Sequence, residues 1–370
     1  MDRTDTGLYF HIPFCRSKCP YCDFHSAVSR VCTDEYIDSL VDEAASLRRM
    51  GEYISDREKI AVDTIYFGGG TPSLMSDKQL LRVLSAVKDS FYVKEDCEIT
   101  LECNPSSENL EKLLTSAVSF GVNRISLGMQ SSTDSERKKL GRRGTAYDVE
   151  RAVEISEKAG IDNISLDVMI GVPDSNTDTL RKSLDFALRL GVPHISAYML
   201  KIEEGTYYYK NAKSLNIPTE DETADMYLFM SEYLTEKGYL HYEISNFCKD
   251  GLYSRHNMKY WEGAPYIGFG AAAHSFFGGK RFYFPRDTEY FTDGGKVIYD
   301  GEGGDDEERI LLSLRTYKGI SLHDKNALFT DKARFFEKHG FGVIKDDRFI
   351  LTASGFLLSN TIISELLSVY

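Results

Sequence analysis

The chain has 370 residues, of which 57 are acidic and 44 are basic, so its net charge is −13. An acidic surface repels polyanions, which argues against non-specific nucleic-acid binding. No run approaches the ~20 apolar residues that span a bilayer, and the N-terminal stretch MDRTDTGLYF lacks the basic and apolar regions of a signal peptide. We therefore expect a cytoplasmic protein whose thiols stay reduced.

Up to about residue 240, short β-rich runs alternate with amphipathic segments. We predict six strands, each followed by a helix, at residues 7–12, 63–70, 97–105, 123–130, 161–173 and 193–200. In the first helix Ile37, Leu40 and Ala44 mark the apolar face, and Thr33 or Asp34 is the expected N-cap. Consecutive βα units predict an α/β fold with a parallel sheet. Six units fall short of the eight that close a barrel, so we expect a partial, splayed (β/α)6 barrel; an open doubly wound sheet is the alternative.

The pattern changes beyond residue 240. The Gly/Asp/Glu-rich segment 292–309 has the composition of a linker, and the last 60 residues or so read as helix, helix, a short hairpin (GVIKDDRFILT) and a final helix. We therefore predict three parts: a core barrel over 1–240, a connecting segment over 241–300, and a small α+β module of winged-helix type over 301–370.

Three of the seven cysteines, Cys15, Cys19 and Cys22, follow the first predicted strand with the spacing C-x3-C-x2-C. A structural zinc ion takes four ligands and would need His11 or His25 as the fourth. Such sites usually come as two separated pairs of ligands on a small domain, which favours the other interpretation, an iron–sulfur cluster with one iron left open. Open positions are where metals do chemistry. The other four cysteines are scattered, and we interpret them as ordinary residues.

Polar residues also follow the later strands. The glycine turn GGGTP covers residues 68–72, and Glu102, Gln130 and Asp167 lie at or near the ends of three further strands. Because the carboxyl ends of the strands are where α/β folds bind ligands, we expect these residues to line one site. A phosphate loop is disfavoured, since Thr-Pro-Ser follows the glycines instead of Lys-Ser/Thr. GFGAAA at 268–273 matches a dinucleotide pattern but lacks the strand-and-helix context.

These motifs together resemble the radical S-adenosylmethionine (SAM) superfamily. The resemblance implies a partial (β/α)6 barrel and a 4Fe–4S cluster on Cys15, Cys19 and Cys22, with SAM on the open iron. One electron from the cluster would then cleave SAM to methionine and a 5′-deoxyadenosyl radical. The residues that the resemblance assigns to cofactor binding are Tyr9, Tyr21, Gly69, Gly70, Thr71, Glu102, Gln130, Arg142 and Asp167. Carboxylates, arginine and glutamine are chemically suited to the amino-acid and ribose ends of SAM.

Across nearly the whole chain the pattern is similar to the oxygen-independent coproporphyrinogen III oxidase (HemN)-like family. Members with that activity carry a further cysteine two positions after the last ligand, where Phe24 stands here, and an N-terminal extension. In both respects the chain resembles the HemW branch, whose members are haem chaperones. They carry the motif H-N-x-x-Y-W, which is His256 to Trp261 here. The resemblance implies that His256 ligates haem, since imidazole is a haem ligand; His241 and His274 are the next candidates.

The sequence therefore predicts a radical SAM protein that binds a 4Fe–4S cluster, SAM and haem. Its expected partners are haem-requiring acceptor proteins and an electron donor for the cluster, without nucleic acid, and peripheral association with a membrane stays open. The alternative is an oxygen-independent coproporphyrinogen III oxidase that decarboxylates two propionates to vinyls. A third class is another tetrapyrrole-modifying radical enzyme. No catalytic residue is assigned.

Overall fold

The computed structural model describes residues 4–54 and 60–370. The predicted first boundary, at residue 1, lies outside them. The strands are β1 (Thr4–Ile12), β2 (Phe14–Cys15), β3 (Ala27–Val28), β4 (Ile60–Gly69), β5 (Tyr92–Cys103), β6 (Arg124–Gln130), β7 (Asn163–Ile170), β8 (His194–Met199), β9 (Leu240–Glu243), β10 (Asn246–Cys248), β11 (Tyr266–Phe269), β12 (His274–Phe277), β13 (Lys280–Tyr283), β14 (Ile298–Glu302), β15 (Ile320–Ser321), β16 (Gly342–Lys345) and β17 (Arg348–Leu351).

The helices lie between these strands, except that α13 and α14 follow the last strand. They are α1 (Asp34–Ser46), α2 (Asp77–Ser90), α3 (Leu110–Ser119), α4 (Asp134–Lys139), α5 (Ala146–Lys158), α6 (Thr177–Arg189), α7 (Tyr207–Asn211), α8 (Glu220–Glu236), α9 (Arg255–Trp261), α10 (Thr288–Thr292), α11 (Asp306–Ser313), α12 (Ala327–Lys338), α13 (Ala353–Leu357) and α14 (Ser359–Leu367). No helix in the described ranges is both long and apolar enough to cross a membrane.

One large sheet forms the barrel wall, with the strand order β14-β13-β12-β11-β1-β4-β5-β6-β7-β8-β10-β9. The six predicted strands are β1 and β4 to β8, and they pair in parallel in the order of the chain. A doubly wound sheet would reverse that order at its middle, so the splayed barrel is confirmed and the alternative is wrong. The predicted N-cap Thr33 precedes α1.

Strand alternation separates the outer core from the barrel lumen. On β1, Phe10 points outward and stacks on Phe67 and Phe269, with ring centroids 5.0 and 4.8 Å apart, in the layer that the helices cover. The neighbouring Tyr9 points inward, against Tyr66, at 6.2 Å. Because side chains alternate along a strand, the same period of two brings polar residues of each strand into the lumen.

Beyond β8 the structure adds elements that the sequence did not predict. Strand β11 pairs in parallel with β1, and β12, β13 and β14 extend that edge as antiparallel strands. The prediction of a linker over 292–309 is therefore wrong in part, since β14 lies in it and pairs with β13. The final residues form α11 to α14 around the three-stranded sheet β15-β17-β16, which includes the predicted hairpin.

Candidate functional site

The three cysteines lie on the loop that leaves β1 at the carboxyl end of the barrel strands. Cys15 ends β2, which pairs with β3, and the loop between them carries Cys19 and Cys22. The amide of Cys22 donates to the Cys19 carbonyl at 3.1 Å, which forms the turn between the last two thiols. All three cysteines are free and partly exposed. The fold therefore presents three unpaired thiols on one short loop.

The pKa of the Cys22 thiol depends on its burial and on the neighbouring thiols. Burial raises the pKa of the Cys22 thiol, Cys19 and Cys15 raise it further, and the Phe24 backbone and Lys18 oppose the rise.

Among residues 4–54 and 60–370, no three His, Cys, Asp or Glu side chains lie close enough to hold one metal ion. A zinc ion needs every ligand within about 2.3 Å of one centre. The thiolates of a four-iron cluster bind separate irons and stand farther apart.

The glycine turn after β4 packs directly against the cysteine loop. The Thr71 hydroxyl donates to Cys15 Sγ at 3.5 Å. A β-carbon on Gly70 would lie 3.0 Å from that sulfur and 2.8 Å from the Phe14 carbonyl oxygen. Gly69 has a φ of +110°, and a β-carbon there would lie 2.6 Å from the His11 ring. Only glycine fits both positions, because the backbone approaches the loop closely and one residue is left-handed.

Glu102, on β5, connects the glycine turn to the lumen. It accepts a hydrogen bond from the Tyr66 hydroxyl at 2.8 Å and one from the Gly69 amide at 3.2 Å. Burial raises the pKa of Glu102 to about 7; Asp167 also raises it, while the Tyr66 hydroxyl lowers it. Part of the side chain still contacts solvent. A cation placed beside this carboxylate would stabilise its ionised form.

Asp167, on β7, is two strands from Glu102 in the sheet, with Ser126 of β6 between them. Its Oδ1 accepts from the Ser126 hydroxyl at 3.0 Å. Burial raises the pKa of Asp167 to about 6, and Ser126, Arg142 and Arg124 oppose that rise. Because each carboxylate is harder to ionise than in water, the lumen holds two acids whose charge a cationic ligand would stabilise.

Gln130 and Arg142 complete this rim of the barrel. Gln130 ends β6 at a register shift against β7 and has a left-handed φ of +69°, which is uncommon for a residue with a side chain. Arg142 Nη2 donates to the Gly128 carbonyl at 2.7 Å. Its Nε is buried without a hydrogen-bond partner. A buried donor without a partner is costly, so an acceptor from a ligand would fit beside Arg142.

The two predicted tyrosines lie on different sides of the site. Tyr21 lies on the cysteine loop with its ring 6.3 Å from that of Tyr208; burial raises its pKa, and Arg142 opposes the rise. Tyr9 faces the lumen, and its hydroxyl lies 3.0 Å from His11 Nδ1. Tyr21 therefore lies near both the thiols and Arg142, whereas Tyr9 belongs to the inner wall of the barrel.

His256 lies on α9, and its ring stacks on that of Tyr66 with centroids 5.2 Å apart, on the side of Tyr66 towards the start of β4. Its Nδ1 lies 2.9 Å from the Thr64 hydroxyl and its Nε2 lies 2.9 Å from the Tyr260 hydroxyl. The side chain is 1% exposed, and burial lowers its pKa to about 3. Neither ring nitrogen is open to an iron in this arrangement. The structure therefore does not bring His256 together with the cysteine loop.

Further contacts fix α9 beneath the lumen, at the amino-terminal ends of the strands. The backbone amides of Arg255 and His256 each donate to a carboxylate oxygen of Glu98 at 3.1 Å. Lys259 Nζ lies 2.8 Å from Asp63 Oδ1, and both side chains are almost buried. The H-N-x-x-Y-W segment thus closes the lower end of the barrel.

Sequence reasoning missed three lumen residues: Tyr66, Ser126 and Arg124. Arg124 is 2% exposed, and its Nε has no hydrogen-bond partner. The signal was present, because Tyr66 precedes Gly68, and Ser126 and Arg124 precede Gly128, by even numbers of residues on their strands. A period of two places each of these residues on the face that carries the site.

Comparison with known proteins identifies the group to which this architecture belongs. The sequence model of the Radical SAM superfamily matches residues 9–187. The protein named Heme chaperone HemW from Lactococcus lactis is 33% identical, over 98% of this chain and 97% of that protein. Its namesake from Escherichia coli is 36% identical over 72% of this chain and 69% of its own.

Among solved structures, coproporphyrinogen III oxidase (HemN) from Escherichia coli matches with a TM-score of 0.80, at 18% identity, over 98% of this chain and 90% of that one. At that identity the match shows the fold alone. The sequence relatives go further, because their identity exceeds 30% over most of both chains. The chain therefore belongs to the radical SAM superfamily and, within it, to the HemW family.

Proposed function

We propose that this protein binds haem and delivers it to haem-dependent proteins. Membership of the radical SAM superfamily implies a 4Fe–4S cluster and SAM as its cofactors. The observation that carries the proposal is the similarity, over 98% of the chain, to a relative named a haem chaperone. Phe24 adds support, because it is a 69% exposed phenylalanine at the position where the oxidase pattern has a cysteine.

We assign the cluster to Cys15, Cys19 and Cys22. The three thiols lie on one loop, none is in a disulfide, and all are partly exposed. The hydroxyl of Thr71 donates to Cys15 and would stabilise a thiolate there. Three thiolates leave one iron of a four-iron cluster for a small molecule. When bound, the cluster supplies the electron for the chemistry of SAM.

We assign SAM to the rim between the glycine turn and Arg142. Glu102 accepts from the Gly69 amide and is placed to accept also from an ammonium group at the turn. Arg142 keeps a buried Nε for a carboxylate or a ribose oxygen. Gln130 and Asp167 offer further acceptors for ribose hydroxyls. These side chains would bind and orient SAM, because the carboxylate of Glu102 and the guanidinium of Arg142 have charges opposite to those of the ligand's ammonium and carboxylate groups.

The decisive experiment separates chaperone from oxidase in one preparation. The protein is reconstituted anaerobically with iron and sulfide, and haem is added with SAM present or absent. We expect haem to bind and then to pass to apomyoglobin, which is followed by the Soret band of the acceptor. In parallel, coproporphyrinogen, SAM and a reductant are supplied, and carbon dioxide is measured. Release of carbon dioxide without haem binding would establish the oxidase instead.

The control for the haem transfer is the order of addition. Apomyoglobin mixed with free haem reports uncatalysed uptake, and the loaded protein must deliver haem after all free haem has been removed by gel filtration. An electron donor for the cluster and the acceptor proteins are the partners that this function requires.

A further inference from the structure

A cavity of about 340 Å³ lies beside the cysteine loop, and the inward-facing Tyr9 and His11 of β1 are among its lining residues. Asp23, Phe24 and His25, which directly follow Cys22, line part of it. Tyr260 and Tyr266, from α9 and β11, also line it. The volume falls in the range of roughly 300–1000 Å³ that small-molecule and cofactor sites occupy. The cavity thus joins the cluster loop to the H-N-x-x-Y-W segment.

The walls suit a flat, apolar ligand. Phe24 is 69% exposed and therefore offers a ring face to a ligand. Tyr260 and Tyr266 are packed edge to face with ring centroids 4.6 Å apart. Aromatic rings bury large apolar areas against other π-systems. An exposed phenylalanine and two fixed tyrosines therefore give the cavity an aromatic lining.

His274, at the start of β12, supplies a candidate metal ligand at the edge of this cavity. Its Nδ1 lies 3.1 Å from the Ala272 carbonyl oxygen, so Nδ1 carries the proton and Nε2 keeps its lone pair. Metal-bound histidines commonly donate their other N–H to a backbone carbonyl. The ring is exposed and stacks on Tyr283 at 5.0 Å, which fixes its plane.

The other two histidines of the cavity are less suited to this role. His11 is buried and uses both ring nitrogens, on the Tyr9 hydroxyl at 3.0 Å and the His25 carbonyl at 2.9 Å. His25 places its Nε2 3.0 Å from the Thr288 hydroxyl. His274 is therefore the exposed histidine of the cavity whose tautomer already leaves Nε2 open.

Arg286 places positive charge at the cavity. One of its nitrogens lies 3.2 Å from Asp23 Oδ2, and another donates to the Asp23 backbone carbonyl. A guanidinium has five donors, so donors remain for a second carboxylate. In a chain with a net charge of −13, such a local cation is what an anionic ligand needs.

We propose that this cavity is the haem site, with His274 as the axial ligand and Arg286 paired to a propionate. The inference rests on the proposed function, because haem enters there as cargo. It also gives the H-N-x-x-Y-W segment a role without iron ligation by its histidine. His256 holds the hydroxyl of Tyr260, and Tyr260 forms part of the cavity wall.

The test uses the anaerobically reconstituted full chain and haemin, followed by the Soret band and by electron paramagnetic resonance. We expect His274→Ala to lose the imidazole-ligated spectrum and to weaken haem binding about tenfold to a hundredfold, by analogy with the loss of a metal-site residue. Added imidazole should restore the spectrum of this variant. Arg286→Gln should weaken haemin binding about tenfold or more, yet leave binding of the dimethyl ester of haem unchanged.

His323→Ala is the matched control, because this histidine is exposed on the C-terminal module and should change neither spectrum nor affinity. If wild-type protein binds haem and His274→Ala keeps the same spectrum and affinity, the cavity assignment is overturned and the chaperone function stands. A spectral change in His25→Ala alone would equally overturn the choice of ligand. If the wild-type protein binds no haem, both the site and the proposed function fail.

Discussion

Removing the Tyr66 hydroxyl gives the sharpest test of the SAM site, because that hydroxyl acts on one carboxylate. In Tyr66→Phe the lumen keeps its aromatic ring, but Glu102 loses the donor that lies 2.8 Å from its Oε1. The remaining donor is the Gly69 amide at 3.2 Å. The change therefore perturbs the charge state of Glu102 and leaves the cysteine loop in place.

The magnitude follows from the pKa of Glu102, which is about 7. A hydrogen bond to a charged group contributes roughly 1.5–3 kcal/mol, so its loss should raise this pKa further by about one to two units. Cationic SAM requires the ionised carboxylate, and its affinity rises with pH until Glu102 is ionised. At pH 7 about half of Glu102 is ionised in the wild type, but only about 1–10% in the variant. We thus expect SAM affinity to fall about fivefold to fiftyfold at this pH.

The assay is anaerobic calorimetry of SAM binding between pH 6 and pH 9, with iron content measured in each sample. The wild-type affinity should level off above about pH 8, whereas that of Tyr66→Phe should still rise at pH 9. Tyr227→Phe is the control, since Tyr227 is also buried but donates to the Ile244 carbonyl at 2.7 Å. Equal affinities in Tyr66→Phe and the wild type at every pH would refute the role of Glu102.

Three further predictions address the cluster, the glycine turn and the second carboxylate. Cys15→Ala should lose the roughly four irons per chain of a reconstituted cluster, whereas Cys97→Ala, at a buried thiol, should keep them; equal iron in both would contradict the ligand assignment. Gly69→Ala should lower both melting temperature and SAM affinity, because the added β-carbon would lie 2.6 Å from His11. Gly160→Ala, also left-handed but with nothing within 4 Å, should lower only the melting temperature, so equal effects on SAM binding would argue against the turn. Without SAM, Asp167→Asn should raise the melting temperature at pH 8. Its pKa is raised from 3.8 to about 6, so the stability of the wild type falls as pH rises through that window, by at most about 3 kcal/mol. The advantage should vanish near pH 4, and a lower melting temperature of Asp167→Asn at pH 8 would contradict the argument.

The barrel was predictable from sequence because its information is local. Each of the six predicted strands is an apolar run followed by a helix with a clear face, and the parallel order follows from that alternation. The pairing of β11 with β1 was not predictable. It joins Gly7 to Tyr266, far apart in the chain, through a strand of four residues. The Gly/Asp-rich composition around β14 resembles a loop, and only its pairing with β13 makes it a strand.

The site, too, was predictable only where the information is local in the sequence. Spacing and position at strand ends identified Glu102, Asp167 and the cysteines as candidates, because loop spacing and strand ends are visible in the sequence. The environment of His256 is not visible there, since its partner Thr64 is 192 residues away. A histidine in a polar motif looks like a ligand until the fold shows what occupies its nitrogens. The cavity beside His274 likewise depends on two segments that only the folded chain brings together.

The two proposed ligands carry opposite charges, and the fold separates the groups that would meet them. Glu102 and Asp167 place acid inside the barrel, where a cationic sulfonium compound gains from their ionisation. Arg286 places a cation at the cavity beside the cysteine loop, where an anionic macrocycle would otherwise meet a surface of net negative charge. Tyr9 lies between the two environments, since it lines the cavity beside the cysteine loop and stacks on Tyr66, the donor to Glu102. One ring thus forms a wall of the haem cavity while packing against the residue that sets the charge of the SAM site.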